Sequence, residues 1–320
     1  MKKYFSALMM IALLITFSSC LANRNAPSSE APSQIETPSQ LNTDIDYPRI
    51  DGSTSTLSIV QAIYREMQPK GENYPETALK TVPSYEHLIN GDLDMIFVPY
   101  ASSDVLDLAK QKGVELDFIP IAAEALIFIT PKENTVKNIT KEQVREIYLN
   151  NSIDNWNELG GANRKLVPIC RNADSGSQSQ MDNLILQNEK MHEDIQKNHV
   201  ELTMEGMLEQ VAFYHYGGLD GKPTNSYALG YTLYTYLENM TAVTGIGEKL
   251  NVLSFDGVEP SVESISNGTY PLADSYYLVT RKGASQNSQI SNIIEWLQSD
   301  KGIAAIASAG FIALDETDRQ

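Results

Sequence analysis

Two cysteines and four histidines in 320 residues leave little material for a disulfide framework or a metal centre. The histidines, at 87, 192, 199 and 215, are scattered without ligand-like spacing, so neither a metal nor another cofactor is expected. Basic residues are also scarce. With 24 Lys and Arg against 41 Asp and Glu, the formal charge is −17, and neither nucleic acid nor an anionic membrane face would be attracted to such a chain. Any anion site must therefore be local, built from a few donors against an unfavourable overall field. The apolar run from Tyr4 to Phe17 is too short to span a bilayer, and no internal repeat is visible. What is present is a composition of 42% hydrophobic and 20% charged residues, ordinary for a globular protein, in a length that allows roughly two domains.

The apolar run follows Lys2 and Lys3 and ends in Ser18, Ser19 and Cys20, the layout of a signal peptide over residues 1–19. Small residues directly before a cysteine resemble the lipobox of bacterial lipoproteins, in which the cysteine becomes the lipidated, palmitate-bearing first residue. An ordinary cleaved secretory signal is the other reading, and both export the protein. Residues 20–44, rich in Asn, Ser, Pro, Gln and Ala, have no periodicity and read as a flexible tether. If Cys20 carries lipid, Cys170 has no disulfide partner and is expected as a small buried strand residue.

The stretch Pro168 to Gln180, PICRNADSGSQSQ, organises the rest. An apolar run from Lys165 to Cys170 stops at Arg171, and small residues lead into Met181, Leu184 and Ile185, spaced as one helical face. This reads as strand, turn, helix. Ser175, Gly176 and Ser177 fall at the helix start, where backbone N–H groups lack partners and the dipole is positive. Arg171 adds a forked cationic donor suited to a tetrahedral oxyanion. The same serines would also serve as plain helix caps, and Arg171 as a surface arginine.

Earlier in the chain, Gly52-Ser53-Thr54-Ser55-Thr56 repeats the pattern before a helix with Leu57, Val60, Ile63 or Tyr64, and Met67 on one face. Ser84 follows Pro83 and is expected to precede a short helix, 85–90. The apolar strand 93–99, a helix from Ser102 to Lys112, and two buried strands, 116–121 and 125–130, come next. Thr140 and Gln143 make a capping box for a helix through Leu149 with Val144, Ile147 and Tyr148 inside. Helices are expected over 204–213 and 227–237, a strand over 250–255, a short helix over 262–266, a strand over 276–280, and helices over 290–297 and 303–308. The alternation of strands and helices makes the class α/β.

The loops GSTST at 52–56 and RNADSGSQS at 171–179, with KNITKEQVREIYLNNSIDNWNELGG at 137–161 and NGTYPLADSYYLVTRKG at 267–283, resemble the phosphate-binding proteins of bacterial ABC transporters and the substrate-binding lipoproteins related to them. The likeness runs from about Tyr47 to Leu314. It implies a two-lobed periplasmic-binding-protein fold of type II, with the ligand in the interlobe cleft. Crossings near Ala123 to Leu126 and Thr269 to Ala273 would make lobe one 45–125 plus 271–320 and lobe two 126–270. The resemblance assigns Ser53, Thr54 and Ser55 to a first phosphate loop, Ser84 to a second serine, and Arg171, Ser175, Gly176 and Ser177 to the arginine and helix-start loop. One departure stands out: where the family carries an aspartate after the DMIFVPY strand, an acceptor for a ligand proton, this chain has Val98, Pro99 and Tyr100. Asp51, Asp104 and Asp174 are possible substitutes.

The functional expectation is a surface-anchored solute-binding protein that captures phosphate or a similar oxyanion for an ABC permease. It would be monomeric, held by the N-terminal lipid on the outer face or periplasmic side of the bacterial cell membrane, and without a nucleic-acid partner. An exported sensor or adhesion lipoprotein that keeps the fold without transport is the alternative. A phosphatase or serine hydrolase is a third reading, but Ser175 and Ser177 have no histidine nearby in sequence and SGSQS does not fit a nucleophile elbow.

Overall fold

The computed structural model describes residues 47–67, 75–187, 189–217 and 222–314. The expected signal peptide, Cys20 and tether lie outside the described residues. The chain begins with Ile50–Gly52 (β1), which passes through a tight 3-10 turn, Thr54–Thr56, into Leu57–Met67 (α1). Thr81–Asn90 (α2) ends on Gly91 at φ 86, a left-handed conformation that only glycine adopts without strain. Met95–Pro99 (β2) is buried throughout, and Ser103–Gln111 (α3) precedes the 16-residue strand Leu116–Pro131 (β3).

Asn138–Ile139 (β4) leads to Lys141–Arg145 (α4), capped by the expected Thr140 and Gln143 box, and Val144, Ile147 and Tyr148 are buried as expected. Lys165–Pro168 (β5) and Cys170–Arg171 (β6) bring the chain to Gly176–Gln180 (α5), which runs on as a π-type turn over Met181–Leu186. Glu193–Asn198 (α6), Val200–Glu201 (β7) and Met204–Phe213 (α7) follow, then Ser226–Leu233 (β8), Tyr234–Thr244 (α8) and Leu250–Phe255 (β9). Val262–Ser266 (α9), Ala273–Arg281 (β10), Ser288–Gln298 (α10), Asp300–Ser308 (α11) and Ile312–Ala313 (β11) complete the described chain. Among the described residues no helix is long and apolar enough to cross a membrane.

Strand β3 is the axis of the sheet, whose order is β1-β2-β10-β3-β8-β5. Over its first part it pairs antiparallel with β10, from Leu116 opposite Arg281 to Ala125 opposite Ala273. From Leu126 it changes partner and pairs with β8 and then β9. Each part carries its own apolar core. One gathers Ile59, Ile63, Phe97 and Leu278, extended by Tyr85 and Leu88 on the other sheet face. The other gathers Phe128, Tyr148, Trp156, Tyr231 and Phe255, each such side chain contributing about 1.5–3 kcal/mol by leaving water. Trp156 keeps its polar edge satisfied by donating from Nε1 to Tyr227 O at 2.9 Å.

Three local expectations change. The two strands expected over 116–130 are one, because no turn residue interrupts a segment hydrogen-bonded along its whole length. The helix expected over 227–237 is strand β8 followed by α8: residues 227–233 are buried on both faces, which erases the period-two signal and leaves Tyr227, Tyr231 and Tyr234 mimicking a helical stripe. Helix α2 starts at Thr81, with Pro83 inside its first turn, where the missing N–H is tolerated. Ser84 therefore lies within the helix, not before it.

Candidate functional site

A cavity of about 110 Å³ is lined by the starts of four helices. Ser53, Thr54 and Ser55 come from the turn that opens α1, and Lys80 and Thr81 from the cap and first residue of α2. Ser175 and Gly176 come from the cap and first residue of α5, and Thr203 and Met204 from those of α7. Arg171, Asp174 and Leu202 complete the wall. Two of the helices belong to the side of the sheet built on β1, β2 and β10, and two to the side built on β5 and β8. A helix start carries partial positive charge, so four starts and Arg171 gather favourable dipoles and a cation around one cavity in a chain of formal charge −17.

The two serine loops have the same local design. Ser53 Oγ and Ser55 Oγ lie 2.9 Å apart, and Ser175 Oγ and Ser177 Oγ lie 3.0 Å apart. Hydroxyls that contact each other can rotate to donate to an incoming acceptor at no cost in buried partners. Ser175 does not use its side chain to cap its helix, which leaves the first-turn N–H groups of α5 unspent. The Ser53 N–H is fixed elsewhere, on Phe97 O at 3.1 Å.

Thr81 was not singled out in the sequence, and it is the side chain with the strongest claim to a ligand. It is 2% exposed, lines the cavity, and its Oγ1 has no hydrogen-bond partner; an unsatisfied buried hydroxyl costs about 1–3 kcal/mol. Ser84, by contrast, is fully buried outside the cavity lining and donates to Gly52 O at 2.9 Å and Lys80 O at 3.0 Å. Its role is to tie α2 to β1. Ser177 is also fully buried and reaches the cavity only through its contact with Ser175.

Arg171 is buried and held rigidly: Nε donates to Glu201 O at 3.0 Å and Nη2 to Leu202 O at 3.3 Å. Burial lowers its pKa from the ordinary arginine value, yet a guanidinium stays charged. Among the described residues Nη1 has no protein hydrogen bond, and Arg171 lines the four-helix cavity. A second buried chain fixes the backbone: Arg171 N–H donates to Tyr231 Oη at 3.0 Å, Tyr231 donates to Gln178 Oε1 at 2.5 Å, and Gln178 Nε2 donates to Asp182 Oδ1 at 2.8 Å. The chain ties the strand that carries Arg171 to the helix that carries Ser175.

Asp182 and Asp104 line a separate, larger cavity of about 540 Å³ on the other side of Arg171. Burial pushes Asp182 up to about 6, with Asp104 adding to the rise. Asp51 accepts from Gly52 N–H at 2.6 Å and Leu79 N–H at 3.2 Å. Of the three carboxylates considered as ligand-proton acceptors, only Asp174 lines the four-helix cavity. Cys170 is buried as expected, and burial pushes its thiol up to about 11, which rules it out as a nucleophile near neutral pH. No cluster of His, Cys, Asp and Glu among the described residues could hold a metal ion.

Residues 37–301 match the family described as the PBP superfamily domain. The phosphate-binding protein PstS of Borreliella burgdorferi is 27% identical over 228 residues, which cover 71% of this chain and 76% of that protein. Protein SphX of Synechococcus elongatus is 23% identical over 276 residues, covering 82% of this chain and 76% of that protein. Among solved structures, an ABC-type phosphate transport receptor from Vibrio cholerae superposes with a TM-score of 0.62 at 20% identity, covering 83% of this chain and 99% of that one. PstS from Borrelia burgdorferi superposes with a TM-score of 0.53 at 24% identity, covering 84% and 98%. These superpositions show the two-lobed α/β fold of type II.

Proposed function

Because the chain belongs to the PBP superfamily, we propose that it is a solute-binding protein that captures phosphate or a similar oxyanion in the cavity between its lobes and delivers it to an ABC importer. The observation that carries this reading is the meeting of four helix starts, two from each side of the sheet, around one buried arginine. Such a site is matched to a small tetrahedral anion and mismatched to a sugar or an apolar ligand. The related phosphate-binding protein of Borreliella burgdorferi and phosphate transport receptor of Vibrio cholerae agree in substrate and in role.

The lobes divide, in this reading, at residues 125/126, where β3 changes sheet partner, and at 270/271, just before β10. Closure presses the α5 start onto the α2 start, so that donors from both lobes reach one anion. The protein acts as an exported monomer, tethered by lipid on Cys20 to the outer face of the membrane, with permease subunits as its protein partners. Binding, and not bond cleavage, is the chemistry: the Ser175 and Ser177 hydroxyls contact each other, and none of the cavity-lining residues is a histidine that could serve as their base.

A thermal-shift panel of phosphate, sulfate, molybdate and related anions tests the reading. Saturation at about 100 times Kd stabilises the folded state by about 2.7 kcal/mol, and Arg171→Ala abolishes the effect. An unchanged melting temperature across the panel contradicts it.

A further inference from the structure

We infer that Asp182, outside the anion cavity, couples oxyanion binding to pH, because its carboxylate is covered when the lobes close and hydrated when they part; this rests on the two-lobed oxyanion site proposed above. Asp182 lies in the turn that continues α5, in lobe two. The cavity it lines is completed on the other side by Ser102, Ser103 and Asp104, the start of α3 in lobe one. The two walls are joined next to the carboxylate, where Asn183 Nδ2 donates to Ala101 O at 3.1 Å. Parting the lobes breaks that bond and opens the wall over Asp182. The closed state therefore holds the carboxyl proton more tightly than the open state.

Among the described residues the carboxylate receives one hydrogen bond, from Gln178 Nε2 at 2.8 Å, too little to replace the water shell of a full negative charge. The buried chain from Gln178 through Tyr231 to the Arg171 N–H holds it in that wall. Burial and the like charge of Asp104 both favour its neutral form. The other ionisable groups around it do not change charge with it. Arg171 stays charged, the Cys170 thiol is pushed up to about 11, and burial raises the Tyr231 phenol well above its ordinary value. Glu189 pairs with Arg145, and Lys190 is exposed. By linkage, whatever favours closure favours the anion that closure grips. A neutral Asp182 favours closure, so anion affinity rises as pH falls through about 6 and levels off once the open state is protonated too.

Isothermal titration of the full chain with inorganic phosphate at pH 5, 6 and 7.5 tests this in the wild type, Asp182→Asn and Asp104→Asn. Dividing each variant's affinity by the wild type's at the same pH cancels the ionisation of phosphate itself. Asparagine has the shape of the neutral carboxyl and no charge to gain. The Asp182→Asn ratio is therefore expected to rise about fivefold or more from pH 5 to pH 7.5, each unit by which closure raises the Asp182 pKa being about a tenfold change over the whole titration. Asp104→Asn gives a smaller rise of the same sign. A flat or falling Asp182→Asn ratio overturns the inference and, with the wild type still binding phosphate, leaves the oxyanion site standing. A wild type that binds no phosphate at any of these pH values overturns both. If Asp182→Asn does not fold, Asp104→Asn decides, since Asp104 is exposed: a rising ratio supports the coupling and a flat one overturns it.

Discussion

Gly176 and Pro99 meet across the candidate cleft with no room for a single added carbon: a Cβ on Gly176 would lie 2.7 Å from Pro99 Cγ and 2.8 Å from Thr81 Oγ1. Gly176 is not in a left-handed conformation, so the requirement for glycine is space alone. Gly176→Ala is expected to keep the fold but hold α5 away from α2, weakening oxyanion affinity by about tenfold or more, the loss of about one shared hydrogen bond. Titration calorimetry alongside melting curves separates the two effects, and an alanine variant with unchanged affinity would show that the helices do not need this approach.

Thr81 and Ser84 sit one turn apart on α2 and should respond oppositely. Thr81→Val removes a buried hydroxyl that has no protein partner, so stability of the unliganded protein stays level or rises while anion affinity falls. Ser84→Ala removes the one O–H shared between Gly52 O and Lys80 O, costing about 1 kcal/mol of stability with little change in affinity. Chemical denaturation and anion titration of the pair give the comparison.

Arg171→Lys is expected to fail as a replacement. The guanidinium grips two carbonyls at 3.0 and 3.3 Å, and an ammonium point charge does not hold that fork. Affinity for phosphate should drop nearly as far as in Arg171→Ala, and the melting temperature should fall as well.

Asp182 sets a pH dependence of stability. Its folded-state pKa is pushed up to about 6 by burial, above the unfolded value near 4. Between those values the folded state binds the proton more tightly, so stability is greatest below about pH 4, falls as pH rises to about 6, and is level above. Asp182→Asn should therefore raise the melting temperature at pH 7.5 by more than at pH 4.5. Equal shifts at the two values would show that Asp182 is not the group responsible.

Much of the fold was legible because it is local. GSTST and DSGSQS are hydroxyl-rich helix starts, the Thr140–Gln143 box lies where its spacing puts it, and the buried strand β2 is an apolar run. The misreadings have a common cause. Pro83 sits in the first turn of α2, where a proline costs no hydrogen bond, so the helix begins at Thr81 and takes in Ser84. Strand β8, buried on both faces, had no alternation left to read.

The sequence by itself determined the class, the serine loops and Arg171, because helix starts and charged side chains are decided by neighbours a few residues away. Only the tertiary structure decided that the starts of α2 and α7 join them, that Lys80, Thr81, Leu202, Thr203 and Met204 belong to the wall, and that Asp174 is the carboxylate inside it. Those facts depend on which way β3 turns its two edges and on how closely Gly176 approaches Pro99. They are set by packing between segments separated by up to about 150 positions in the chain, a distance over which no local pattern carries information.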